Sequence, residues 1–223
     1  MRADLIYLHP STDLYRNFLD ARLGTVGLSW NVVKPFWPAA LAKTQDRFNT
    51  IRNKYYLANS QGLPLRAGHI GHTTLFLYEL SRQAWLAGDQ YVADVLYFLN
   101  VSGGGCNLLY EIDVPLRTFC DHPSGAVIGR GAFSADSSFS FSTNCNIGNS
   151  RNVYPVVDGN LTMLPNSSIL GNTRIGGNVI MSNGSKLLDA GDIEDVIVYG
   201  AYPSNTFRPL GSIAYDEITN FKY

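Results

Sequence analysis

Between residues 127 and 187 the chain repeats every six residues, and few folds accommodate that period. Counting in sixes from Val127 reaches Phe133, Phe139, Cys145, Arg151, Val157, Met163, Ile169, Ile175, Met181 and Leu187, apolar at every step but Arg151. Four positions further into each hexad, the row from Gly131 runs Ser137, Thr143, Asn149, Pro155, Leu161, Ser167, Thr173, Val179 and Ser185, and most of these are small. A third row, Asn160, Asn166, Asn172 and Asn178, places asparagine where a tight corner asks for left-handed backbone. A strand alternates with period two and a helix with period 3.6, so neither alone produces six. A coil of short flat strands joined by sharp corners does. Each face then turns one aliphatic side chain inward, a small residue sits beside each corner, and stacked coils bury a core that no single coil could bury. The break at Arg151 predicts a loop, residues 149–155, extruded between coils without loss of count.

The first hundred residues have a different texture, and they read as helical. Ser11 or Thr12 is placed to cap a helix carrying Leu14, Phe18 and Leu19 and ended by Gly24. Residues 41–58 hold Phe48, Ile51, Tyr55 and Tyr56 at helical spacing. The strongest helical stretch is 73–99, with Leu75, Leu77, Leu80, Trp85, Tyr91, Val95 and Phe98, interrupted near Gly88. Ser102-Gly103-Gly104-Gly105 then breaks the pattern. It follows a helix rather than a strand, and no Lys-Ser/Thr comes after it, so it is read as a linker and not a phosphate cradle. The expected organisation is a helical domain over 1–105, a repeat domain over 106–203 and a tail over 204–223.

Composition closes off several functions. Charged residues are only 16% of the chain and the net charge is −1, spread nearly evenly, so the basic footprint of a nucleic-acid binder is missing. Met1-Arg2-Ala3-Asp4 does not open a charged-then-apolar export signal. The most apolar stretch, Leu23 to Ala42, is broken by Asn31, Lys34, Pro35 and Pro38, which leaves peripheral membrane contact at most. Cys106, Cys120 and Cys145 show no metal or redox spacing, and the simplest reading is a reduced, cytoplasmic protein. His69 and His72 are three apart, but no third ligand lies nearby in sequence, so no metal is expected.

The segment Asp121-His122-Pro123-Ser124-Gly125-Ala126-Val127-Ile128-Gly129, the hexads, Ile169-Leu170-Gly171-Asn172 and Ile180-Met181-Ser182-Asn183-Gly184-Ser185 together resemble the hexapeptide-repeat acyltransferases. The likeness is to the serine acetyltransferases and their polysaccharide-acetylating relatives, and it covers roughly residues 108–203. It implies an N-terminal α-helical domain followed by a left-handed parallel β-helix that forms homotrimers, with a dimer of trimers as a further step. It also implies acetyl-coenzyme A as co-substrate and no metal. Direct acetyl transfer from a thioester to a hydroxyl needs a base near pKa 6.5 and an oxyanion site, with no covalent enzyme intermediate. By resemblance His122, the only histidine after His72, is that base. An upstream carboxylate should orient it, Asp113 first and Glu111 second, while Asp121 matches a position facing the acceptor. The pantetheine arm would lie between neighbouring subunits along Gly148, Pro165, Asn183 and Gly184, with Tyr199 and Gly200 near the last turn, and Gly148 is also placed to offer an oxyanion N–H. Arg208 is the basic residue available for the nucleotide phosphates.

The acceptor is read from a departure. Serine acetyltransferases carry a second histidine in the loop between coils, where this chain has Tyr154, and an upstream aspartate that helps hold serine, where the Ala58-Asn59-Ser60 region is uncharged. Leaving the ends of a zwitterion unpaired in a pocket is costly, whereas a tyrosine face suits a sugar ring. The expectation is therefore O-acetylation of a carbohydrate hydroxyl in surface-polysaccharide synthesis. The alternatives are O-acetylation of L-serine toward cysteine and an inactive β-helix serving as a scaffold or binding module.

Overall fold

The computed structural model describes residues 10–57, 65–211 and 215, and of the side chains those from residue 13 onward. Among the described residues five α-helices come first: α1 (Pro10–Thr25), α2 (Trp30–Val33), α3 (Trp37–Asn49), α4 (Ile70–Leu86) and α5 (Gln90–Gly104), with a 3-10 turn at Lys34–Phe36. Helix α1 already begins at Pro10, ahead of Ser11 and Thr12, whose side chains lie outside the described residues. It buries Tyr15, Leu19 and Leu23 and leaves Leu14 in solvent. The stretch read as helical over 41–58 is helical only to Asn49; Ile51 and Tyr56 are buried from the turns that follow. Between α4 and α5, Gly88 takes a left-handed φ of 86° and the Asp89 carboxylate accepts the Val92 N–H at 3.1 Å, which ends one helix and caps the next.

The glycine run is a helix end and not a linker. Helix α5 continues through Gly104, and Gly105, at φ 67°, donates its N–H to the Val101 carbonyl at 2.9 Å. Cys106 is already buried, and Asn107 already pairs with the second coil. A left-handed residue closes the last helical turn and turns the chain into the repeat without slack.

Five coils follow, wound as a parallel β-helix. The first holds β1 (Asn107–Leu108) and β2 (Arg117–Cys120), and the second β3 (Val127–Ile128), β4 (Ala132–Phe133) and β5 (Ser138–Phe141). The third holds β6 (Asn146–Gly148), β7 (Val156–Val157) and β8 (Asn160–Met163). The fourth holds β9 (Ser168–Leu170) and β10 (Thr173–Met181), the fifth β11 (Lys186–Leu188) and β12 (Gly191–Tyr199), and β13 (Thr206–Pro209) returns antiparallel to β12. One face stacks Leu108, Ile128, Ile147, Ile169 and Leu187. The second stacks Phe133, Val157, Ile175 and Ile193, and the third has two inward rows, Phe139-Leu161-Val179 and Phe141-Met163-Met181.

The hexad count is right from Val157 to Leu187 and slips before it. Val127 is 40% exposed and Ile128 takes its place inside; Phe139 stacks on Leu161 rather than on Met163. Partners on the first face lie nineteen residues apart from Ile128 to Ile147 and twenty-two from Ile147 to Ile169, and only the last coil closes in eighteen, to Leu187. Corners of unequal length absorb the difference, because a strand's inward face is set by its pleat and not by the count through a corner.

The small-residue row does have the expected role. The buried hydroxyls of Ser137, Ser167 and Ser185 donate to the carbonyls three residues back, at 2.7, 2.7 and 2.8 Å, closing each corner. The asparagine row divides. Only Asn166 (φ 64°) is left-handed, and left-handed residues recur on its edge in other coils, among them Gly125, Asn144 and Gly184. Asn160 and Asn178 instead form a side-chain ladder, amide to amide at 2.9 Å.

One continuous core joins the helices to the coils. The buried Arg47 guanidinium pairs with buried Glu79 at 2.5 Å and donates to the carbonyls of Pro115, Leu116 and Val114. Tyr78 donates to the Ile112 carbonyl at 2.8 Å and Tyr56 to that of Cys120 at 2.9 Å. Within the segment read as a tail, β13 lies on the last coil and the Tyr215 hydroxyl is bonded to that of Thr162 at 2.7 Å.

Candidate active site

The corner between the third face and the first runs as an edge down the β-helix, and His122 stands near its head. Residues 121–126 link β2 to β3. The Asp121 N–H donates to the Phe141 carbonyl at 3.0 Å, and the Thr143 hydroxyl donates to the His122 carbonyl at 2.5 Å. These bonds hold His122 at φ 48°, a left-handed conformation uncommon outside glycine and costing about 1–2 kcal/mol. Its side chain is 81% exposed, with Nε2 3.6 Å from Asp121 Oδ1. The backbone is thus strained to present an imidazole to solvent beside a carboxylate.

The sequence-predicted acids go elsewhere. Asp113 pairs with Arg82 at 3.0 Å and lines a cleft of about 240 Å³ with Lys43, Arg47 and Glu79. Glu111 pairs with Arg130 at 2.6 Å. Asp113 is held by a helix cation and Glu111 by a cation of the second coil, and the carboxylate paired with His122 is Asp121.

Below His122 the same edge collects most of the expected cofactor positions. Asn144 N–H donates to Ser124, Asn166 N–H to Thr143, Gly184 N–H to Pro165, and Lys186 N–H to Gly200, so Pro165, Asn183, Gly184 and Gly200 share it. At Gly184 (φ 72°) no atom lies within 4 Å of where a Cβ would stand, leaving open backbone. At the far end the Arg208 guanidinium lies 5.2 Å from the centre of the Tyr199 ring.

Gly148 and Tyr154 are not on this edge. Gly148 ends β6, across the width of the first face, where its carbonyl accepts the Gly171 N–H at 3.1 Å. The loop after it is tight: Ser150 and Val153 bond reciprocally, Arg151 and Asn152 are both left-handed, and Arg151 pairs with Asp189 at 2.7 Å. Asp189 also accepts the Asn172 N–H at 2.8 Å, and that bond, then Arg151, holds its carboxyl below the usual range. Tyr154, 37% exposed, is carried on this anchored loop.

One histidine has a structural role that sequence reading missed. His69 caps α4, accepting the His72 N–H on Nδ1 at 3.3 Å, and stacks on the His72 ring at 4.0 Å. Burial lowers its pKa. The His72 Nδ1 in turn accepts the Arg66 N–H, so neither histidine offers that nitrogen to a metal. Among the described residues no three His, Cys, Asp or Glu side chains group as metal ligands. Burial pushes the Cys106 thiol up to about 12 and raises Cys120 and Cys145, which keeps them from acting as nucleophiles. The equivalent of the upstream aspartate, at residues 58–60, lies outside the described residues.

A helical domain feeding a left-handed β-helix defines the class of fold. No family model and no curated protein sequence matches the chain. Among solved structures it is similar to the Neisseria gonorrhoeae serine acetyltransferase in complex with serine, with TM-score 0.68, 18% identity, and coverage of 93% of this chain and 84% of that one. It is also similar to the serine acetyltransferase of Brucella abortus strain S19 (TM-score 0.60, 17% identity, 89% and 76% covered). A serine acetyltransferase in complex with CoA matches at TM-score 0.54 and 15% identity, covering 80% of this chain and 73% of that one. Both halves of the fold are shared.

Proposed function

We propose that this chain is an acetyl-coenzyme A-dependent O-acetyltransferase with His122 as general base and L-serine as the leading acceptor. The observation that carries this reading is the exposed His122–Asp121 pair at the head of an open backbone edge. Likeness over both halves to an enzyme solved with serine supports serine ahead of a sugar, against the expectation drawn from Tyr154.

In this reading His122 takes the proton of the acceptor hydroxyl as its oxygen attacks the thioester carbonyl. The tetrahedral intermediate collapses by breaking the C–S bond, and the coenzyme A thiolate takes the proton back from the imidazole. Asp121, beside the ring, favours the imidazolium that forms between these steps. Acetyl-coenzyme A would run along Pro165, Asn183, Gly184 and Gly200, with Tyr199 and Arg208 near its nucleotide end. Gly148 and Tyr154 sit on another edge, so a site that includes them takes them from a neighbouring copy, which is what a homotrimer provides. The cytoplasm, which holds acetyl-coenzyme A, is the matching compartment.

Tyr154 favours a second reading, a carbohydrate acceptor, because an exposed ring on an anchored loop offers a flat face to a sugar. Release of free thiol from acetyl-coenzyme A decides between them, with L-serine in one arm and a panel of acetylatable polysaccharides in the other. Serine turnover, lost in a folded His122→Ala, is the expected result. Turnover with a glycan alone would select the second reading. No turnover and no coenzyme A binding would leave the scaffold alternative.

A further inference from the structure

We infer that the helical domain holds a second ligand site, a cavity between α1, α4 and α5 that takes a small monocarboxylate with an apolar body. Its carboxylate sits on Arg22 and the Tyr15 hydroxyl. The inference goes beyond the proposed function and does not depend on it.

The cavity measures about 200 Å³, and Leu19 of α1, Ile70 and Leu77 of α4 and Leu99 of α5 give it apolar walls. An apolar cavity of about 150 Å³ holds one benzene, so this one has room for such a ring and a small polar head. Tyr15, which also lines it, is fully buried, with its ring set by Phe76 at 5.1 Å and Trp37 at 6.4 Å. Its hydroxyl makes no hydrogen bond of proper geometry. Thr73 lines the same cavity, but its own proton goes to the Ala67 carbonyl at 3.3 Å. Burial pushes the Tyr15 phenol up, so it stays a neutral donor, and a buried donor without an acceptor is costly.

The second donor is Arg22, four residues after Phe18 on α1, with its guanidinium 4.9 Å from the Phe18 ring centre. Among the described residues no carboxylate pairs with it. The glycine run makes its place: a Cβ at Gly103, at the end of α5, would overlap the Arg22 Nη1, so bare backbone lets the guanidinium lie there. A carboxylate answers both donors, because its two oxygens can take a guanidinium fork and a phenol O–H together. An inorganic anion would leave the leucine walls unfilled, and a plain hydrocarbon would leave both donors unmet.

Calorimetric titration of the whole chain with benzoate and hexanoate, and with benzyl alcohol as the neutral match, tests this. One saturable site per chain is expected for at least one of the acids, about tenfold or more tighter than for the alcohol. Tyr15→Phe should weaken acid binding about fivefold, the size of one hydrogen bond. Arg22→Gln should weaken it about tenfold and erase the preference for acid over alcohol. Gly103→Ala replaces a helical glycine by a better helix former, so stability should hold or rise. Binding should nevertheless weaken, because the new methyl displaces the guanidinium. His122→Ala should bind the acid as wild type does. No saturable binding of either acid, wild-type binding in any of the three cavity variants, or binding lost in His122→Ala would overturn the inference.

Discussion

Gly71→Ala should destabilise the protein even though it replaces a helical glycine by the best helix former. The propensity gain is at most about 1 kcal/mol. Against it, the new methyl would overlap the Tyr56 hydroxyl and stand 2.7 Å from the Cys120 carbonyl oxygen, which is backbone inside a paired strand and cannot swing aside. Overpacking of this kind costs about 1–3 kcal/mol, and displacing Tyr56 forfeits its bond to Cys120, worth about 1 kcal/mol. The net loss is therefore about 1–3 kcal/mol. Gly104→Ala is the control: in the last turn of α5 its Cβ would meet nothing closer than 3.6 Å, so it should be neutral or slightly stabilising. Urea unfolding followed by the fluorescence of Trp30, Trp37 and Trp85 measures both. Tyr56→Phe in the Gly71→Ala background separates the two terms, since it relieves the hydroxyl overlap and leaves the carbonyl. A Gly71→Ala protein as stable as wild type would refute the close approach of α4 to Cys120.

Two further outcomes follow from buried and anchoring charges. Glu79→Ala leaves the buried Arg47 without its carboxylate and should cost about 3–5 kcal/mol, while Glu79→Met with Arg47→Leu together should cost less than the single change; urea midpoints compare them. Asp189 holds its proton less tightly folded than unfolded, so the stability it gives is present above the usual carboxylate range and lost as pH falls through it. Asp189→Asn should therefore flatten the acid limb of stability against pH and open the Arg151–Val153 turn to protease cleavage; an unchanged acid limb would show that the carboxylate does not anchor the loop.

The sequence alone determined the β-helix, because a row of inward aliphatics at period six and small residues beside corners have no other stacked solution. It determined the switch from helices near residue 105 and the special standing of Asp121-His122, the only histidine in the repeat half. Tertiary structure decided what local pattern cannot hold. Register before Val157 depends on corner lengths, which a count by sixes does not see, so Val127 faces solvent and Ile128 the core. Asp113 and Glu111 are upstream acids in sequence, but Arg82 and Arg130 claim them in space. Asp121 stands beside His122 by adjacency, whereas α4 meets the strand that leads to it through a contact between Gly71 and Cys120, residues 49 apart. Period and adjacency are properties of the chain; which carboxylate meets which cation is set by packing, and only the folded molecule fixes it.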